Sequence, residues 1–403
     1  MSNPLASLTD SGAASLTEFD EDYRAARFLA DRSLESADIP ALTQRALALT
    51  TQRRLLLPDA DVLLERCVVA LLSGHVVLQG PPGTGKTTLA RLLAQAFNTD
   101  DPAVETATAD WSTYDVIGGL QPTAGNHGEE ALRPWLGHVP RAAVRCANVI
   151  AQQADPNYAE THQAHWLILD EFSRAEIDKA IGPLYTVLGG GERRLPLWFG
   201  DADERREVWL PDRFRLIGTM NDVDTSYAYT FSQGLSRRFQ FIYVGVPASP
   251  QVHDELRAAA LQAGDWHART YQGLTDQAGI DAASTTFAET PAVTAALDVL
   301  EGMLQHLRYD SADPTRPDRP GWPVGTAQVV DVLRQLALRT PYASAQGLTG
   351  ALDLALADRL IPQMSNLTAE QLDSYEEWFN NASLTRTRRA LAHLRQAQTT
   401  NFS

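Results

Sequence analysis

Between residues 56 and 247, short apolar runs alternate with stretches whose apolar residues recur at helical spacing. The runs are HVVLQ (75–79), AVETATA (103–109), HWLILD (165–170), RFRLIGTM (213–220) and FQFIYVGV (239–246). Runs of this length between helical segments predict a five-stranded parallel sheet covered by helices on both faces. Ahead of the first strand, DADVLLERCVVALLSG predicts a helix with Val62, Leu63, Cys67, Leu71 and Leu72 inward and Gly74 as its stop. Between the second and third strands lies a long excursion. Its glycine-rich part, VIGGLQPTAGNHGEEALRPWLGHVP, reads as a hairpin or flap ahead of a helix. After residue 247 the strand pattern gives way to helical periodicity, interrupted by the four prolines of SADPTRPDRPGWPVG (311–325), an extended connector. Residues 1–55 read as a Ser/Ala-rich leader followed by amphipathic helices, with Phe19, Tyr23, Ala26 and Leu29 on one face. The expected organisation is an N-terminal helical segment (1–55), an α/β domain (56–247), and a smaller all-helical domain with C-terminal helices (248–403).

Composition narrows the class. Apolar residues at 44% and charged residues at 21% describe an ordinary globular chain. The formal charge of −16 argues against coating nucleic acid or an anionic membrane by bulk attraction, although a local basic groove stays open. The notable basic segment is LTRTRRALAHLR (384–395), with Arg386, Arg388, Arg389 and Arg395; it reads as a solvated helix face or a partner contact. Cys67 and Cys146 are too few for a disulfide scaffold or a cysteine-rich zinc site. No apolar run is long enough to span a bilayer, and the polar, acidic N-terminus lacks a signal pattern, so a cytoplasmic location is expected.

Only two of the 34 basic residues are lysines, and one of them, Lys86, stands in VVLQGPPGTGKTTLARLLAQAF. Gly80, Pro81, Pro82, Gly83, Thr84, Gly85, Lys86 and Thr87 satisfy GxxxxGK[ST], with Thr88 following, between a predicted strand and a predicted helix. Glycines permit positive φ, so such a loop can turn its amides inward on a β-phosphate while the next helix presents its positive end. Lys86 then reaches the β- and γ-oxygens as a point charge, a role for which a bulkier planar guanidinium is poorly shaped. The Thr87 hydroxyl can ligate Mg²⁺.

HWLILDEFSRAEIDKAIGPLYTVL supplies a second cluster. Asp170 and Glu171 end an apolar strand at the carboxyl edge, where open α/β sheets bind ligands. Asp170 is placed to hold Mg²⁺ through water, and Glu171 to polarise an attacking water. An acidic pair ending a strand also occurs as a solvated turn; beside a phosphate loop the catalytic reading is preferred. Ser173 and Glu176 have capping-box spacing for a following helix with Ile177, Ile181, Leu184 and Leu188 on one face.

The phosphate loop, LILDEFSRA, GTMND and LSRRF together resemble the AAA+ ATPases, specifically the MoxR/McrB branch, convincingly over 56–247 and in outline over the lid. The resemblance implies a P-loop NTPase fold and adds residues. Asn221 matches the sensor-1 asparagine that hydrogen-bonds the attacking water and γ-phosphate. Arg238 matches the arginine finger that reaches a neighbouring subunit's site, with Arg237 in reserve. LPLWFGDADERREVWLP (195–211) occupies the place of the pre-sensor-1 hairpin, and the 112–140 excursion that of the helix-2 insert. Trp198, Trp209 and Trp135 on these loops read first as hairpin packing and second as partner-gripping residues. One position departs from the family: Ala327 or Gln328 stands where many relatives carry a sensor-2 arginine, and Arg334 lies about two turns on.

For function, the resemblance implies ATP (with GTP open), Mg²⁺ and a homo-oligomeric ring, expected to be a hexamer. The leading expectation is a MoxR-like chaperone ATPase that remodels a partner, such as a von Willebrand A-domain protein. The alternatives are an McrB-like, DNA-associated motor working with a separate nuclease subunit, and a nucleotide-dependent scaffold with little turnover. The acidic balance mildly disfavours direct nucleic-acid contact, and no membrane partner is expected.

Overall fold

The computed structural model describes residue 34 and residues 38–124, 130–153, 162–189, 193–198, 206–221, 233–309, 321–342 and 345–400. The expected amphipathic face at Phe19, Tyr23, Ala26 and Leu29, and most of the proline-rich connector, lie outside them. The elements in chain order begin with α1 (Ile39–Gln52), α2 (Ala60–Ser73), β1 (His75–Gly80), α3 (Lys86–Ala96), β2 (Ala103–Thr106) and α4 (Thr113–Val116). There follow β3 (Gly118–Ala124), β4 (Glu130–Leu136), α5 (His138–Gln153), β5 (Leu167–Asp170) and α6 (Ile177–Ala180). Next come β6 (Arg194–Leu197), β7 (Arg206–Trp209), β8 (Leu216–Asn221), α7 (Gln233–Ser236) and β9 (Phe239–Tyr243). The remainder is helical: α8 (Val252–Tyr271), α9 (Gln277–Ala288), α10 (Pro291–Tyr309), α11 (Thr326–Arg339), α12 (Ala345–Arg359), α13 (Ala369–Asn381) and α14 (Thr385–Thr400).

The chain divides into two compact units. One holds residues through Thr50, Ala60–Gly80 and Lys86–Val244; the other holds Thr51–Asp59, Pro81–Gly85 and the residues from Gly245 onward. In the first unit the five expected strands form one sheet in the order β2-β5-β8-β1-β9, every pairing parallel. Placing β8 and β5 between β1 and β2 requires crossovers, which cover the sheet with helices. Val76, Val77, Leu78, Ile168, Leu169 and Ile217 are essentially solvent-free, as a doubly covered sheet demands. The strands begin later or end earlier than their apolar runs: β5 starts at Leu167, β8 at Leu216, and β2 stops at Thr106.

Both insertions are antiparallel hairpins, β3 with β4 and β6 with β7. Trp135 stacks on Tyr114 at 5.0 Å between ring centroids, with the Arg141 guanidinium 5.0 Å from its centre. Trp209 carries the guanidinium of its cross-strand partner Arg194 at 5.3 Å. Trp198 is 67% exposed, and its ring edge closes against Gly119, where a Cβ would approach it to 3.2 Å.

Two local expectations are corrected. Val62 is 60% exposed, while Leu63, Leu64, Cys67, Val68 and Leu71 are buried. Apolar residues run most of the way round α2, so only packing on β1 and β9 selects the inward face. The long helix expected after Asp170-Glu171 is instead a 3₁₀ turn (Phe172–Arg174), the single turn α6, and a second 3₁₀ turn (Gly182–Leu184). Pro183 would set its ring against the carbonyl four residues back and lacks an N–H, so a continuous α-helix breaks there. The Ser173–Glu176 capping box does not form: Ser173 lies inside the 3₁₀ turn, and Glu176, at the N-cap, makes no side-chain cap.

The helical part of the second unit is built around Leu300, Leu304, Leu333, Leu336, Leu356 and Phe379. The carboxylate of Asp353 caps α14 by accepting the Arg386 and Thr387 amides at 2.9 and 2.8 Å. In the basic segment, Arg386, Arg388 and Arg389 are exposed, while Arg395 pairs with Asp373 and Glu376. Among the described residues no helix is long and apolar enough to cross a membrane.

Candidate functional site

The parallel register brings three strand ends to one edge. Gly80, the last residue of β1, lies beside Asn221, the last residue of β8. On the other side of β8, Leu169 pairs with Gly218, which sets Asp170 next to Thr219. Gly80 permits close approach: a Cβ there would sit 2.1 Å from the Val244 carbonyl oxygen. Further along the loop, Gly83 and Gly85 adopt φ of 78° and 83°, a region in which side-chain-bearing residues are strained.

The Lys86 ammonium is buried and donates to the Gly80 carbonyl at 3.0 Å. A flexible stem bearing a compact charge turns back in this way more easily than a guanidinium fork. The Thr87 hydroxyl donates to Asp170 Oδ1 at 2.6 Å, so the first turn of α3 and the end of β5 are tied through the two groups expected at a metal. Thr88, next on α3, is exposed.

Thr219 completes this edge, a role sequence reasoning missed. Its hydroxyl donates to Asp170 Oδ1 and accepts the Glu171 backbone N–H at 3.2 Å. One side chain from the neighbouring strand thus orients the Asp170 carboxylate and fastens the turn that begins at Glu171. The only signal for it is a polar residue inside the apolar strand LIGTMN. Glu171 adopts a left-handed conformation with φ 54° and ψ 39°. Such a conformation is uncommon for a residue with a side chain, and it turns the chain sharply off the strand end. Its carboxylate meets Arg174 Nε at 2.5 Å, with the arginine more than half exposed.

The arginine pair is split by environment. Arg238 is half-buried: Nε donates to the Tyr185 carbonyl at 3.0 Å, Nη1 donates to the Gly234 carbonyl at 3.1 Å, and the guanidinium lies 5.7 Å from the Tyr185 ring centre. Arg237 is exposed. Within the second unit, Ala327 and Gln328 do lie at the phosphate loop. The Ala327 amide donates to the Gly83 carbonyl at 3.0 Å. Gln328 serves its own helix by accepting the Gly325 amide, and its Nε2 donates to Gln363 at 2.6 Å.

The donor set fits a triphosphate with its cation. Loop glycines free main-chain amides, a buried ammonium supplies charge, and a hydroxyl and a carboxylate already converge on one point. A magnesium ion there would draw on Thr87 and Asp170 and would neutralise phosphate charge. No group of three or more His, Cys, Asp or Glu side chains suited to a metal occurs among the described residues.

No curated protein matches the chain. Residues 75–239, from the start of β1 to the start of β9, match the family model described as the AAA domain of the dynein-related subfamily. Over those residues the chain is similar to that domain, and its five-stranded parallel sheet has the P-loop AAA+ fold, continued by a helical C-terminal region.

Proposed function

We propose that this protein is a ring-forming ATPase, hexameric in its working state, that couples ATP hydrolysis to remodelling of a partner protein in the manner of MoxR-like chaperones. The observation that carries the hydrolytic reading is the convergence of Thr87 and Thr219 on Asp170, with the Glu171 amide fastened to Thr219, at the sheet edge that also ends in Gly80 and Asn221. A scaffold that only bound nucleotide would have no need of a glutamate held in a strained turn beside that carboxylate.

In the proposed reaction the loop amides and Lys86 hold the phosphates, and Thr87 with Asp170 holds the cation. Glu171 orients a water for in-line attack on the γ-phosphorus and takes up its proton, while Asn221 hydrogen-bonds the same water. The water oxygen forms the new bond to phosphorus, the bond to the β,γ-bridging oxygen breaks, and ADP leaves. An arginine from the adjoining subunit stabilises charge on the transferred group. Arg238 is assigned that role from its place before Phe239, with exposed Arg237 as the alternative. Loss of the γ-phosphate releases contacts that hold switch elements, which is the source of motion. The exposed Trp198 and Leu132 of the two hairpins are the apolar side chains offered to a partner.

ATP and GTP hydrolysis by the purified chain, with and without DNA, tests the reading. Hydrolysis of ATP independent of DNA supports a protein-directed motor. Hydrolysis that requires DNA transfers the assignment to the McrB-like alternative, and no hydrolysis of either nucleotide leaves the scaffold.

A further inference from the structure

The position of a sensor-2 arginine holds no charge here, yet the second unit seats the start of α11 directly on the phosphate loop. Gly325 is so close that a Cβ would lie 2.3 Å from the Pro82 carbonyl oxygen and 2.5 Å from the Gly83 carbonyl carbon. Two residues on, the Ala327 amide donates to the Gly83 carbonyl at 3.0 Å. The contact is therefore main chain against main chain.

Both residues flanking Gly325 are fastened to one ion pair with fully buried side chains. Arg308, near the end of α10, donates from Nη1 and Nη2 to the two carboxylate oxygens of Glu255 on α8, at 2.6 and 2.9 Å. Its Nε donates to the Val324 carbonyl at 2.7 Å. On the other side, the Thr326 hydroxyl donates to Glu255 Oε1 at 2.5 Å. Taking two charges out of water is costly, and a buried ion pair is often no more stable than apolar residues of the same volume. What the network supplies is geometry: a planar fork and a carboxylate admit one arrangement, and Val324, Gly325 and Thr326 are locked to it.

We propose that Glu255, Arg308 and Thr326 form a positioning clamp that holds the Gly325–Ala327 turn against the Gly83 carbonyl and so sets the phosphate-binding shape of the loop, in place of a charged residue contacting the nucleotide. With its carbonyl engaged by Ala327, Gly83 is held in the positive-φ conformation that turns neighbouring amides toward the phosphates. The inference rests on the proposed nucleotide site.

Calorimetric titration of the full chain with ATP plus magnesium, and with ADP, tests the clamp, alongside thermal melting without nucleotide. Thr326→Val removes the hydroxyl donor at nearly constant volume, and Thr326→Ser keeps it. The Val variant is expected to bind both nucleotides about tenfold more weakly, about 1.4 kcal/mol. The Ser variant is expected to stay within about twofold of wild type, because it retains the hydrogen bond. Hydrolysis by Thr326→Val should show a raised KM with kcat little changed, since uniform binding is what the loop shape controls. Glu255→Gln, which keeps size but turns one acceptor oxygen into a donor and removes the charge opposite Arg308, provides a second variant and should weaken binding at least as much. Equal nucleotide affinity of the folded Val and Gln variants and wild type, whatever happens to their melting temperatures, would make the network merely structural and overturn the clamp. If wild type itself binds neither nucleotide, the proposed function falls, and the clamp with it.

Discussion

Asp170 Oδ1 accepts from both Thr87 and Thr219, so the side chains of this site form one coupled network in which the loss of any member should be felt. Lys86→Ala is expected to abolish nucleotide binding, measured by calorimetry, because it removes the buried positive charge seated on the Gly80 carbonyl. Glu171→Gln should bind nucleotide but lose turnover by about a hundredfold or more, the range for removing a general base. Wild-type turnover by that variant would remove Glu171 as the water-orienting group. Thr219→Val should lower kcat by about tenfold, since it strips one hydrogen bond from a carboxylate and leaves the Glu171 amide without its acceptor. The placement of Lys86, Thr87, Asp170 and Glu171 at one sheet edge was legible from their spacing from glycines and strand ends. Thr219 was not: a threonine in an apolar run is also an ordinary strand former, and only register beside β5 gives it Asp170.

At the scale of elements, close approach and burial govern the response. Gly80→Ala would drive a methyl into the Val244 carbonyl, and should destabilise by about 1–3 kcal/mol in urea unfolding, as overpacking does. Two buried histidines make the first unit acid-sensitive. His75 Nδ1 accepts the Leu216 amide at 3.0 Å, and burial, helped by the Arg215 charge, pushes its pKa down to about 3. Burial, with the Arg145 charge, lowers His165 to about 4 against the pull of Asp100. Below the ordinary histidine value the unfolded chain binds these protons and the folded one does not. Stability should therefore fall with decreasing pH from about 6.5, by up to about 1.4 kcal/mol per unit for each histidine. That loss levels off near pH 4 for His165 and near pH 3 for His75. Urea midpoints from pH 7 to pH 4 check this, and a flat profile would refute it. The strands and hairpins were legible from alternation and glycine placement. The break after Asp170-Glu171 was overlooked, although Pro183 was visible, because the apolar spacing on both sides of it mimics one helix.

For the whole molecule, the proposed ring requires a residue from one chain to act in another. Arg238→Ala should bind nucleotide yet lose turnover, and mixing it with Lys86→Ala should restore part of the activity, because mixed interfaces pair an intact site with an intact finger. No rescue at any mixing ratio would count against shared sites. Arg238 also holds the Tyr185 and Gly234 carbonyls, so Arg237→Ala belongs beside it; turnover lost only in that variant would move the finger to the exposed residue. Size-exclusion chromatography with light scattering, with and without ATP, reads the assembly directly.

The sequence by itself determined a five-stranded parallel α/β sheet, a phosphate loop at the end of its first strand, an acidic pair at the end of its third, and a helical continuation. These follow from local rules: apolar period, glycine and proline placement, and the fixed distance between a loop and its helix. Only the tertiary structure decided strand order, the bond from Thr219 to Asp170, and the burial of Arg308 with Glu255 beneath Gly325. Those contacts join residues 49, 53 and more than 200 positions apart, and no local pattern records which distant polar group a buried one will meet.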